Sequence, residues 1–146
     1  MKIKALGHVV LYVTNVEKIA DFYRDVLGFR EIARQKRMAF FSTGRTHHEL
    51  LLIEIGEAHQ KSGKLETGLY HIGFKIGDTV KDLKNALLDL KKAGVTITGG
   101  ADHNVTQGIY IKDPDGNEIE LYVDISKEWK KNPKILLNSP KQLHLD

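Results

Sequence analysis

The 146-residue chain is 41% hydrophobic and 28% charged, with a formal net charge of +3, values that suit one domain with a sizeable core. It has no cysteine, which excludes disulfides and thiolate metal ligands, and no apolar run approaches the roughly 20 residues needed to span a bilayer. Its 22 basic residues are interleaved with 19 acidic ones, and even the densest basic run, Lys127 to Lys134, contains Glu128 and Pro133, so the basic stripe of a nucleic-acid groove is missing.

The opening MKIKALGHVVLYV goes straight into strand-like alternation without a small-residue cleavage site, so no signal peptide is expected, and a cysteine-free chain suits the cytoplasm. A first strand is expected at Ala5–Val13, with Val9, Leu11 and Val13 on one face and His8, Val10 and Tyr12 on the other. Asn15 should cap a helix whose stripe is Val16, Ile19, Phe22, Tyr23 and Val26, and Gly28 should end it. Strands follow at Phe29–Ala33, Met38–Ser42 and Glu49–Ile55, and then a polar, glycine-bearing connector. The second half repeats the plan. It has a strand at Leu69–Ile76, a helix capped by Asp78 and closed by Gly94, and strands at Val95–Thr98, Gly108–Lys112 and Glu118–Val123. Between the last two strands, Asp113-Pro114-Asp115-Gly116-Asn117 carries the chemistry of a tight turn.

Each half is therefore a strand, a helix and three strands, and neither is large enough to bury both faces of its own sheet. The expected fold class is α+β, with paired βαβββ modules forming a curled, cavity-enclosing mixed β-sheet. One domain would run over 1–125, as module one at 4–56, a connector at 57–68 and module two at 69–125. A tail at 126–146 would carry Trp129 and the Ile135-Leu136-Leu137 cluster across the body or a partner subunit. Open sheets leave edges to cover, so a homodimer is expected.

Seven histidines are the compositional feature to follow. Aligning GHVVLYV with YHIGFKI puts His8 and His71 at equivalent places, 63 residues apart. Glu120, between Ile119 and Leu121, shares its face with few polar neighbours, where a charge needs a partner. Each could be an ordinary strand residue, but matched positions in a duplication favour a metal site. Two imidazoles and a carboxylate leave open positions for substrate, oxygen or water. That set suits Fe(II) best, with Mn(II), Ni(II) and Zn(II) as competitors. His59 and His144 lie in poorly patterned polar segments and read as solvated.

At these residues the chain resembles the vicinal-oxygen-chelate superfamily, which includes glyoxalase I, bleomycin- and fosfomycin-resistance proteins and extradiol ring-cleaving dioxygenases. DFYRDVLGF at Asp21–Phe29 is similar to its first-helix signature, and DPDGNEIELY at Asp113–Tyr122 to its final hairpin. His47-His48-Glu49-Leu50-Leu51-Leu52 resembles a segment of the catechol-type dioxygenases in which the histidine before the acidic residue, here His48, is an acid/base group. DHNVTQGIYIKDPDGNEIEL is similar to the small catechol 2,3-dioxygenase-like branch. There the tyrosine, here Tyr110, hydrogen-bonds a substrate oxygen, and a nearby histidine, here His103, orients the substrate. The resemblance thus implies a ring-cleaving dioxygenase using a divalent metal, a small catechol-like diol and O₂. From the residues alone, His48 and His103 adjoin turns and could be solvated, while Tyr110 could simply pack as a strand aromatic.

The main rival is a glyoxalase I-like isomerase or lyase, which adds a fourth ligand from the last strand of the first half. The candidate is Glu54 in LLLIEI. Aligning that segment with IELYVDI on the acidic ends pairs Glu54 with Asp124 and Leu50 with Glu120, leaving the matching position apolar. A shift of a few residues would bring Glu54 into play. A second rival is a non-catalytic, bleomycin-resistance-like binding protein, which would have no need of the triad.

Overall fold

The computed structural model describes residues 1–57 and 67–144, so most of the expected connector at 57–68, and His59, lie outside the described residues. Contacts divide the chain into two compact units, Met1–Glu66 and Thr67–Asp146. Each contains a mixed sheet, and together with few helices they make an α+β fold.

In the first unit, β1 (Val9–Val13) leads into α1 (Val16–Asp21), which continues as a π-helical turn at Phe22–Val26. The side chain of Asn15 accepts from the Lys18 amide at 2.8 Å, capping a helix end that would otherwise leave that donor unpaired. Gly28, at φ 68°, takes the left-handed conformation that turns the chain out of the helix. Three strands follow, β2 (Glu31–Gln35), β3 (Met38–Phe41) and β4 (Leu50–Glu54), in the order β1-β4-β3-β2. The pair β1–β4 is parallel and the others antiparallel. Val16, Ile19, Ala20 and Tyr23 on the helix and Phe41, Leu50 and Leu52 on the sheet form the core. Each fully buried large side chain contributes roughly 1.5–3 kcal/mol.

The second unit has β5 (His71–Gly77), α2 (Val80–Lys92), β6 (Ile97–Asp102), β7 (Thr106–Lys112) and β8 (Glu118–Asp124). A short β9 (Lys141–Gln142) completes a sheet ordered β5-β8-β7-β6-β9. Helix α2 buries Leu83 and Leu90 and packs on β5, β7 and β8, against a face carrying Ile109, Ile111, Ile119, Leu121 and Val123. The Asp113–Asn117 turn is tied by the Asp113 carboxylate, which accepts from the Asp115 and Asn117 amides at 3.0 and 2.8 Å. Among the described residues, no helix is long and apolar enough to cross a membrane.

Several boundaries differ from expectation. Strand β1 starts at Val9, so His8 stands just before the strand, because its partner β4 begins only at Leu50. The cap of α2 is Thr79, not Asp78: Thr79 accepts from the Asp82 amide at 3.2 Å and the Asp82 carboxylate accepts in return from Thr79 at 3.0 Å. Asp78 is instead drawn to Lys75. Gly99-Gly100-Ala101-Asp102, expected as a loop, is strand, since β6 has ladder partners on both sides in β7 and β9.

Candidate functional site

Period-two alternation in β8 sends Ile119, Leu121 and Val123 to the core and leaves Glu118, Glu120, Tyr122 and Asp124 on the other face. In the ladder Glu120 lies between Gly73 on β5 and Tyr110 on β7. Its side chain is only 13% exposed. Gly108 makes that seat, and Gly73 borders it. A Cβ on Gly108 would lie 2.6 Å from Glu120 Oε1, and one on Gly73 would lie 3.4 Å from Oε2, so any larger residue at 108 would displace the carboxylate.

Polar groups converge on this carboxylate. His71 Nε2 lies 3.4 Å from Oε2, and the Tyr110 hydroxyl donates to Oε1 at 3.3 Å. His103 Nε2 is 3.0 Å from the Tyr110 hydroxyl and 3.9 Å from Oε1. Burial, and then the Glu120 charge, push the Tyr110 phenol up to about 12, so it remains a protonated donor at neutral pH. His103 is delivered by the β6–β7 hairpin, where its amide donates to Thr106 O at 2.8 Å and Asn104 sits at φ 68°. Asp102 holds the turn by accepting from the Asn104 amide at 2.7 Å and from Gln107 Nε2 at 2.8 Å.

The first unit gathers the other imidazoles. The His8 ring centroid is 4.5 Å from that of His48 and 6.1 Å from that of His47, and Phe40 meets His48 edge-on at 5.4 Å. Nδ1 of His47 and Nδ1 of His48 are 2.6 Å apart. His47 is exposed and His48 half-buried. Burial first, then His47 and His8, lower the His48 pKa below the usual imidazole value, favouring its neutral, proton-accepting form. Glu54 is engaged locally: Oε2 accepts from the Val16 amide at 3.0 Å, at the start of α1, and Oε1 is 3.8 Å from Arg37 Nε. His144 is exposed.

Of the three expected metal ligands, His71 and Glu120 meet on the second unit's sheet, together with Tyr110 and His103, while His8 belongs to the first unit's imidazole cluster with His48. Among the described residues, no three histidine, aspartate or glutamate side chains form a cage for an ion by themselves. The donor chemistry of the second unit nevertheless fits a divalent metal. An imidazole faces a mostly buried carboxylate, and His71 Nδ1 is buried with no hydrogen-bond partner. Sequence reasoning missed the glycine seat and also Tyr70, whose hydroxyl donates to Glu118 at 3.4 Å and whose ring lies 4.8 Å from that of His71. The alternation that placed Glu120 could have placed Glu118 beside it.

The ladders also fix the internal alignment of the two modules. Val9 pairs with Leu50 and Ile72 with Ile119, so the counterpart of Glu120 is Leu51, not Leu50. The position is apolar either way.

The profile of the Glyoxalase/Bleomycin resistance protein/Dioxygenase superfamily matches residues 5–121. The chain belongs to that superfamily. Within it, the chain is 33% identical over 128 residues to a catechol-2,3-dioxygenase of Bacillus subtilis, covering 87% of this chain and 44% of the relative. The chain thus spans less than half the length of that enzyme. It is 31% identical over 122 residues to the metallothiol transferase FosB of Staphylococcus epidermidis, covering 82% of this chain and 84% of the relative. The solved lactoylglutathione lyase of Agrobacterium tumefaciens superposes with a TM-score of 0.67 at 22% identity over 84% of this chain and 95% of that one, a likeness of fold. The superfamily's members are mostly metal-dependent enzymes acting on small molecules, with dioxygenases, transferases and lyases among them.

Proposed function

We propose that this superfamily member is an extradiol-type dioxygenase that cleaves the ring of a catechol-like diol with O₂. What carries the reading is the phenol of Tyr110, held between His103 at 3.0 Å and Glu120 at 3.3 Å beside His71. The likeness to a catechol-2,3-dioxygenase supports it. In this reading His8, His71 and Glu120 hold one divalent ion, Fe(II) being best suited, which supplies the Lewis acidity and redox capacity that a diol and O₂ require. Glu54, spent on the amide of Val16, favours three protein ligands over four.

The chain's own residues then have separable tasks. Glu120 and His71 position the diol's oxygen-bearing edge. Tyr110, protonated throughout the working range, turns its one proton from Glu120 to the substrate oxygen on which negative charge develops. His103 holds the phenol from beside Glu120, fixing where its proton points. His48, its neutral form favoured, takes a proton from the substrate hydroxyl and returns it later. A homodimer in the cytoplasm accompanies this reading. Strand β1 is an edge strand with Val10 and Tyr12 exposed, and the absence of cysteine suits a reducing compartment.

A second reading, metal-dependent thiol transfer, is favoured by the likeness to the metallothiol transferase FosB, 31% identical over 122 residues. Anaerobic purification, metal analysis and Fe(II)-dependent oxygen uptake over a panel of catechols test the choice. Uptake with ring-cleaved product is expected. Absence of uptake, with thiol transfer on Mn(II) or isomerisation of a glutathione hemithioacetal on Ni(II) or Zn(II), overturns it.

A further inference from the structure

The tail, beyond the residues shared with the superfamily profile, borders a groove. After β8, the Ile125 and Ser126 amides both donate to Val105 O, at 2.9 and 3.2 Å, tying the departing chain to the hairpin turn that carries His103. Two 3₁₀ turns follow, at Glu128–Lys130 and Pro133–Leu137, and then β9 pairs antiparallel with β6 at Ala101 and Asp102. The tail is thus a strap whose two anchors lie on either side of His103.

Between those anchors the strap and the polar sheet face border an open groove of about 380 Å³, lined by Glu120, Tyr122 and Thr106 from the sheet and by Val105, Trp129 and Leu136. That volume lies at the small end of the roughly 300–1,000 Å³ usual for small-molecule sites. Trp129 is 43% exposed and Leu136 56% exposed, so the chain itself leaves much of both apolar side chains uncovered. The Lys130 ammonium stands 5.8 Å from the centre of the Trp129 ring, a cation–π contact that steadies the indole. Asp124, also in the lining, is paired with Lys75 at 2.9 Å. The groove therefore offers a mostly buried carboxylate and apolar side chains, and none of its lining residues is a cation.

We infer that Trp129 and Leu136 form a specificity wall that takes a neutral aryl or alkyl substituent of the diol while its oxygens face Glu120. This names the substrate class and rests on the dioxygenase reading. Carboxylated catechols are disfavoured, because a mostly apolar wall gives a carboxylate little in exchange for its hydration.

The metal-loaded protein is assayed for oxygen uptake with catechol, biphenyl-2,3-diol and 3,4-dihydroxybenzoate. The wild type should prefer the aryl diol. Trp129→Ala and Leu136→Ala should each lower the ratio of kcat/KM for biphenyl-2,3-diol over catechol about tenfold, through KM, with Trp129→Phe restoring most of it. Trp129 is the chain's single tryptophan, so its emission gives an independent readout under anaerobic titration with biphenyl-2,3-diol. A saturable change in emission, without oxygen uptake from any diol, retains the wall and rejects the dioxygenase. Oxygen uptake with no change in preference in either alanine variant and silent emission rejects the wall and retains the dioxygenase.

Discussion

In the second unit the ladder places Gly73, Glu120 and Tyr110 side by side across three strands; in the first, the equivalent trio is Val10, Leu51 and Phe40. The backbone plan is the same, a parallel pair extended by antiparallel strands, and His8 and His71 precede matching positions. What differs is side-chain size and polarity. Removing a side chain at 108 gives a carboxylate room to lie against the sheet, and a phenol can then reach it. In the first unit, Met38 stands where the second has Gly108, so that position carries a side chain. A duplicated scaffold needs few changes to become a candidate site: one glycine, one acid and one hydroxyl.

The comparison is tested most severely by Glu120→Ala. Metal affinity, measured by calorimetry on the metal-loaded protein, should fall by more than about 100-fold, since even groups that merely orient a ligand are worth 10–100-fold. Leu51→Ala at the matching position should change melting temperature alone, and equal affinity losses in both variants would remove the asymmetry. Tyr110→Phe, which copies Phe40, should lower kcat about 100-fold. Its pH signature is also distinctive. The folded phenol is raised to about 12 from the ordinary value near 10. The native state therefore holds that proton longer than the unfolded chain does, and stability should decline as pH rises from about 10 towards 12. Denaturant titrations of Tyr110→Phe should lack that part of the decline. Gly108→Ala should cost about 1–3 kcal/mol, because its Cβ would force the Glu120 carboxylate aside. Smallest is Glu54→Ala, about 1 kcal/mol through the lost acceptor at the Val16 amide, with metal affinity intact. A marked drop in affinity there would restore the four-ligand alternative.

Alternation and turn chemistry made the element order legible, because burial of one sheet face forces a period of two and Asp113-Pro114-Asp115-Gly116-Asn117 can do little but turn. Tyr110 was reached through the family resemblance, since alternation alone also allowed a packed strand aromatic. Boundaries were less legible where they depend on partners far along the chain. Gly99-Gly100 reads as loop locally and becomes strand only because it pairs with Tyr110 and Ile109 of β7. The cap of α2 was misplaced by one residue because Thr79 and Asp78 are both good caps, and what separates them is Asp82 three residues after Thr79. The seat for Glu120 was invisible for a different reason. Space appears in a sequence only as glycine, and glycine has many causes. The place of Trp129 beside Glu120 depends on where a strap returns, which no local pattern encodes.

That returning strap has a consequence for association between molecules. Strand β9 covers part of the outer rim of β6 with two residues, Lys141 and Gln142, one of them charged. Chains shortened before Lys141 would leave the rim of β6 at Ala101 and Asp102 without its partner strand and open to any passing one. They should then self-associate more readily on concentration, a change that light scattering would register while circular dichroism still reported a folded protein.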